Sequence, residues 1–427
     1  MKHFLTRARR SSGSVVLLIA ASVNAPLHAN QPIGEGSLLA LDGHYACVDV
    51  TLADGKNYPF IVDTGAYRTF VLEDFGQSQK MQVVARMTGI SMGASNQRRK
   101  LYELGEVIVG GARWPQIRAI SLPLKTLPCA PGINAVGGLG MDFLSQPVVE
   151  FDFPNRKFRI FQPKSFRYAG QGERIVIKKK GDFINRLDVG VTVTNVRGEA
   201  KQLTMLLDTG APANVLDLAH GAGIDLGLYR LPHVVTAGGG ASGERYPAIV
   251  VRVPVVQFGA DVMRGALSAV HEAKRGFAAV RQGESGILGL GWAKHRRWFL
   301  DYQHDQIYVE PGPIIPPAPK IGINAWFDQT APGKPWILAR APVTGSVLAK
   351  GLRLGDQLLN INGNSNFEPN NEAQGTESAW LALSKPDAVT LKIQRADEIL
   401  TLKVTPAELL PMNTRDRRLD DTPPHIP

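Results

Sequence analysis

Cysteine is nearly absent from this chain of 427 residues, which has only two, Cys47 and Cys129. That number excludes a disulfide-dense scaffold and a Cys-rich zinc module. The nine histidines include no H-E-x-x-H and no cluster at ligand spacing, and His271-Glu272 lacks the second half of a zinc motif. Aromatic residues make up 7% of the chain and are not interleaved with a basic stripe, so nucleic acid is not an expected partner. Long apolar runs are also missing. The only candidate, Val15 to Val23, is far short of the roughly 20 residues that span a bilayer. It follows Lys2, Arg7, Arg9 and Arg10 and precedes Leu27-His28-Ala29, the layout of a secretory leader cleaved before Asn30. Residues 1–29 are therefore expected to be a signal peptide, and the mature protein to be exported to the periplasm without stable membrane insertion. Loss of those four bases leaves 44 basic against 38 acidic residues, a modest excess spread along the chain.

The chain does repeat itself. Asp63-Thr64-Gly65-Ala66 and Asp208-Thr209-Gly210-Ala211 each follow an apolar run, Phe60-Ile61-Val62 and Met205-Leu206-Leu207, and each precede another, Phe70-Val71-Leu72 and Val215-Leu216. Each copy reads as a buried strand ending in a tight glycine turn that presents a carboxylate. The repeat extends outward. Tyr45 to Leu52, turned at Asp54-Gly55, answers Leu187 to Val193, turned at Arg197-Gly198. Leu139-Gly140 answers Leu288-Gly289, and Phe151-Asp152-Phe153 to Ile160 answers Leu300-Asp301-Tyr302 to Val309. Such duplication predicts two β-rich lobes of ordinary domain size, 30–165 and 166–312.

Two buried carboxyls brought about 3 Å apart cannot both ionise and share one proton. One is then a base and its partner an acid, and a water held between them can be delivered to a carbonyl without a metal or cofactor. Glycine at 65 and 210 permits the turns and their close approach, while Thr64 and Thr209 are placed to hydrogen-bond across to the opposite loop.

On these residues each repeat resembles a retropepsin-type aspartic peptidase domain of the pepsin superfamily. The resemblance covers about residues 40 to 312. It implies a mainly β, bilobal, pseudo-twofold acid-protease fold in which Asp63 and Asp208 are catalytic and Thr64, Gly65, Thr209 and Gly210 support them. It also implies a hairpin flap over the cleft. The candidate flaps are Met87 to Asn96, with Gly89 and Gly93, and Thr236 to Glu244, with Gly238, Gly239 and Gly240. Neither contains the aromatic residue that pepsins place there, and the short stretch from Asn30 to Gly43 lacks the length of a pepsin-type inhibitory propeptide. The same flaps match G-x-S-x-G and G-x-G-x-x-G, but strand-like segments rather than helices follow both, which argues against a nucleophile elbow and a dinucleotide site. Cys47 and Cys129 are placed either to form one disulfide within the first lobe or to remain two thiols.

A Pro-rich linker from Pro311 to Pro319 introduces a third unit, so that 313–406 comprises linker and domain. The stretch Gly351-Leu352-x-x-Gly355-Asp356-x-Leu358-Leu359-x-Ile361-Asn362-Gly363 is similar to bacterial PDZ domains. That similarity implies capture of a chain-terminal peptide as an added strand, with Ile321, Gly322 and Ile323 at the carboxylate loop and a groove-wall helix near Glu377 to Leu383. Residues 407–427 read as a disordered tail. The expected function is a monomeric exported endopeptidase acting on peptides or unfolded proteins. The alternative is an envelope scaffold that binds peptides through its PDZ unit and leaves the acid pair unused. Alanine at 66 and 211 withholds the hydroxyl that would stabilise an outer carboxylate oxygen, so cleavage should extend towards neutral pH. A pH–rate profile confined below about pH 4, near the ordinary Asp pKa, contradicts this.

Overall fold

The computed structural model describes residues 31–40, 44–89, 97–178, 185–212, 214–240, 245–271, 285–312, 321–322, 326–329, 335–340, 351–363 and 388–405, together with 365, 407, 408 and 410. The leader, Gly93, Ile323 and the expected groove-wall helix lie outside these residues.

In the first lobe the strands are β1 (Gly34–Ser37), β2 (Cys47–Thr51), β3 (Asn57–Val62), β4 (Phe70–Leu72), β5 (Val83–Gly89), β6 (Gln97–Val109), β7 (Ala112–Leu122), β8 (Pro128–Ala130), β9 (Ile133–Asn134), β10 (Gly137–Leu139), β11 (Val148–Asp152) and β12 (Lys157–Phe161). The second lobe has β13 (Glu173–Val176), β14 (Asp188–Thr194), β15 (Ala200–Asp208), β16 (Leu216–Leu218), β17 (His233–Gly239), β18 (Arg245–Phe258), β19 (Asp261–His271), β20 (Gly286–Gly289), β21 (Arg297–Asp301) and β22 (Gln306–Val309).

The two lobes have the same connectivity. One sheet runs β2-β3-β10-β4-β7-β6-β5 and the other β14-β15-β20-β16-β19-β18-β17. Further pairings of β2 with β6 and of β14 with β18 close six strands of each sheet into a ring, leaving β5 and β17 outside it. The predicted hairpins form with Gly55 and Gly198 at φ 77° and 86° in their turns, a region that side chains disfavour. This is the bilobal acid-protease architecture expected from the duplication.

A third sheet, β1-β12-β11-β21-β22-β13, joins the lobes, with β11 antiparallel to β21 so that Phe151 lies opposite Trp298 and Glu150 opposite Phe299. On one face the rings of Phe151 and Trp298 stack at 4.2 Å. Around them, side chains of both lobes form one continuous core, with Phe60, Phe143, Val149 and Phe158 from the first and Val191, Leu207, Trp292 and Leu300 from the second. On the opposite face, buried Glu150 accepts hydrogen bonds from Arg159 and Arg297, each at 2.7 Å, one arginine from each lobe. Strand β1 lies in the segment expected only to precede the first strand.

The third unit is a five-stranded sheet, β24 (Trp326–Gln329), β25 (Trp336–Arg340), β26 (Gln357–Ile361), β27 (Val389–Arg395) and β28 (Glu398–Val404), over a core of Leu338, Leu352, Leu358, Ile361, Leu391 and Ile393. Ile321 and Gly322 form β23, which pairs with β29 (Ala407–Glu408). For residues 407, 408 and 410 the expectation of a disordered tail is corrected, and 409 and 411–427 lie outside the described residues. Leu410 is buried against Val234, Val250 and Ala269 of the second lobe, and Arg252 donates to its carbonyl. Apolar burial and a satisfied carbonyl order what composition alone marked as loose.

Of the two alternatives for the cysteines, the structure has the disulfide. Cys47 on β2 is bonded to Cys129 on β8, closing a loop across 82 residues. It pins the 127–135 segment over one apolar face of the first lobe, where Ile61, Phe70 and Ile120 are also buried. Replacing both cysteines with alanine should lower stability by about 2–4 kcal/mol, read from the shift of the denaturant midpoint. An unchanged midpoint would show that packing alone holds that segment.

Candidate active site

Both repeated turns arrive at one place because β3 and β15 end there and β10 and β20 run parallel beside them. Leu139 lies beside Val62, and Leu207 and Asp208 beside Leu288 and Gly289. Gly140 and Gly289 then start short helices behind the turns. Added side-chain carbons would lie 2.3 Å from the Arg68 backbone and 2.7 Å from the Asn214 carbonyl, so only glycine lets strand and turn close up.

The turns are bolted to each other. Thr64 Oγ1 donates to the Leu207 carbonyl at 2.8 Å and accepts from Thr209 N–H at 3.0 Å. Reciprocally, Thr209 Oγ1 donates to the Val62 carbonyl at 2.6 Å and accepts from Thr64 N–H at 3.1 Å. Both threonines are buried. The glycines set the approach of the lobes. A Cβ on Gly65 would fall 2.1 Å from Asp208 Cγ, and one on Gly210 2.4 Å from Asp63 Cγ. The structure thus brings together all six residues that the sequence assigns to the acid pair and its support.

The two carboxyls are hydrogen-bonded to each other but are not equivalent. Asp63 Oδ1 accepts from Gly65 N–H at 2.9 Å and Ala66 N–H at 2.8 Å, whereas Asp208 Oδ1 accepts from Gly210 N–H at 2.7 Å. Burial pushes both above the ordinary aspartate pKa. For Asp63 the two amides and the bond from Asp208 pull back. For Asp208 the neighbouring charges of Asp63 and Asp217 push further, so it stands well above the ordinary value. The pair therefore titrates as a unit around one shared proton, and the second amide on Asp63 favours its charged form over that of Asp208.

The described parts of the candidate flaps are paired strands, and residues 90–96 and 241–244 lie outside the described residues. Gly89 pairs with Gln97 at the end of β5–β6, and Gly238 and Gly239 pair with Tyr246 and Arg245 at the end of β17–β18, with Gly240 next in the chain. A strand rather than a helix follows each glycine motif, which removes the nucleophile-elbow and dinucleotide readings.

Two groups escaped the motif reading. Asp142, on the helix after β10, accepts from Thr69 N–H at 2.7 Å and Thr69 Oγ1 at 2.8 Å, tying the first turn down from behind. In the second lobe Asn214 donates to Asp217 at 2.9 Å, and His271 faces the same carboxylate. An acid six residues after the second motif, or two residues after Gly140, carries no spacing signal of its own.

A family model described as aspartyl protease matches residues 48–143, a span that contains Asp63, Thr64 and Gly65 and runs through β10 to Phe143. That match supports a peptidase of the aspartic type. No curated protein matches the chain at a significant level.

The raised pKa values have a consequence for folding. A carboxyl with a raised folded-state value contributes stability that is fully present below the unfolded Asp pKa of about 3.9 and is lost as pH rises through the folded value. Asp208→Asn, which keeps the shape without the charge, should therefore be more stable than wild type at pH 7, with the difference closing below about pH 4. Equal stability across that range, read from urea midpoints, would count against a strained acid pair.

Proposed function

We propose that the protein is an exported aspartic endopeptidase in which the two tandem lobes supply one catalytic aspartate each. The observation that carries this reading is the pair of complete Asp-Thr-Gly turns held face to face by reciprocal threonine bonds. Catalysis needs a base and an acid on either side of one water, and the unequal environments of Asp63 and Asp208 supply that division. Charged Asp63 takes a proton from the water as it attacks the peptide carbonyl, and protonated Asp208 donates to the carbonyl oxygen. The resulting gem-diol collapses when the amide nitrogen is protonated, and the acid pair returns to one shared proton. The substrate lies as an extended strand under the two hairpins. Removal of the leader would release the mature chain into the periplasm, where the Cys47–Cys129 bond is compatible with an oxidising compartment. The third unit, with β24 at the edge of its sheet, would bind a peptide end or govern access to the cleft.

The experiment compares mature wild type with Asp63→Asn and Asp208→Asn on a diverse peptide pool. Cleavage should fall by at least about a thousandfold in each variant, as expected when either half of an acid–base pair is lost. Retention of cleavage in either one would sink the shared pair. Peptide binding by wild type without any cleavage would favour the scaffold alternative.

A further inference from the structure

The duplication provides an internal control. Strand register places corresponding residues of the two lobes side by side. Val62–Leu139 answers Leu207–Leu288, Gly138–Phe70 answers Ile287–Asp217, and Phe70–Ile120 answers Asp217–Ala269. One step further along each sheet, Leu122 answers His271. Side chains alternate between sheet faces, so Phe70, Ile120 and Leu122, and their counterparts Asp217, Ala269 and His271, lie on the face where Asp63 and Asp208 emerge, opposite to Val62 and Leu207. On that face the first lobe places Phe70, Ile120 and Leu122 in one buried apolar cluster, with the buried Arg99 nearby on β6. The second lobe places an acid and an imidazole there.

Nothing in the folding of a β-sheet asks for that exchange. Asp217 and His271 are 8% and 5% exposed, where desolvation penalises polar groups and the apolar pair of the first lobe would pack without cost. Nor is the pair self-contained. His271 Nε2 stands 3.6 Å from Asp217 Oδ1, while His271 Nδ1 is buried with no hydrogen-bond partner among the described residues. The Tyr246 ring meets the imidazole edge-on at 5.1 Å, and its hydroxyl reaches the Gly239 carbonyl at the end of β17. Gly238 makes room for both rings. A Cβ there would stand 2.3 Å from Tyr246 and 2.8 Å from His271 Nδ1. The second hairpin is thus built around a polar cluster that holds a buried ring nitrogen with no hydrogen-bond partner among the described residues.

We propose that Asp217, His271 and Tyr246 form a polar specificity pocket in the second lobe, taking a hydrogen-bond-donating and preferably basic substrate side chain. This rests on the peptidase reading and adds the chemistry of one subsite. With Nε2–H turned towards the carboxylate, Nδ1 carries a lone pair and is an acceptor. Asp217 gives the pocket its negative charge, and Asn214 fixes the carboxylate from the turn itself. An ammonium or guanidinium group meets both needs, while a leucine or phenylalanine side chain leaves the acceptor and the charge buried and unpaired. At the corresponding place in the first lobe, Phe70 and Leu122 pack with Leu127 and Cys129 and offer no polar group. The two lobes therefore differ in chemistry at this place even though the turns are duplicates.

The test uses full-length mature protein and a peptide series in which each position in turn is Arg, Lys, Gln, Leu or Phe. Binding is followed by fluorescence anisotropy on the Asp63→Asn variant, and cleavage on the wild type. At one position Arg or Lys should be preferred to Leu by at least about tenfold. The double change Asp217→Phe with His271→Leu, which installs the first lobe's residues, should reverse that ratio and leave the preferences at other positions as a check on folding. His271→Gln, which keeps an acceptor, should retain part of it. Uniform apolar preference in wild type, or a ratio unmoved by the double change, overturns the pocket while leaving the peptidase standing. Selective binding of basic peptides without cleavage keeps the pocket and removes the peptidase, and absence of both binding and cleavage overturns both.

Discussion

Two carboxyls that would repel one another as anions are held together by four hydrogen bonds between Thr64 and Thr209 and the opposing backbone. Each is worth about 1 kcal/mol net, whereas burying carboxylates costs several. The threonines therefore fix geometry without covering that cost. The remainder comes from the apolar core that the lobes share and from the sheet in which β11 joins β21. Proton sharing lowers the cost further, because only one charge has to be buried.

Much of this was legible in the sequence because the acid turns, their flanking strands and their glycines recur as the same residue types in the same order. Gly140 and Gly289 were found as partners by offset, and the strand register bears that out. The joining sheet was not legible. Its pieces were identified as two closing hairpins, but nothing in Val148–Asp152 or Arg297–Asp301 says that they pair with each other rather than within their own lobes. Asp217 was hidden by a different cause. The second lobe has two more residues than the first between its acid turn and the strand position concerned, so a constant-offset comparison sets Asp217 against Leu72 instead of Phe70. Only the ladder of hydrogen bonds restores the match.

The lobes also differ in how they cover the sheet face that bears the acid. In the first, the 127–135 segment is stapled over it by Cys47–Cys129. In the second, part of the cover comes from Leu410, which reaches the β17–β19 surface after the chain has passed through the entire third unit. One lobe is closed by a local covalent link and the other by a distant stretch of the same polypeptide.

The position of Leu410 has a cost for the chain as a whole. A cut between 405 and 410 would leave every residue of both lobes in place and yet bare Val234, Val250 and Ala269 to water, at about 25 cal/mol for each Å² uncovered. Where the chain may safely be shortened is thus decided by a lobe that ended almost a hundred residues earlier. The five-stranded unit cannot be treated as a detachable appendage, since whatever tugs on it pulls at the strands beneath the second hairpin.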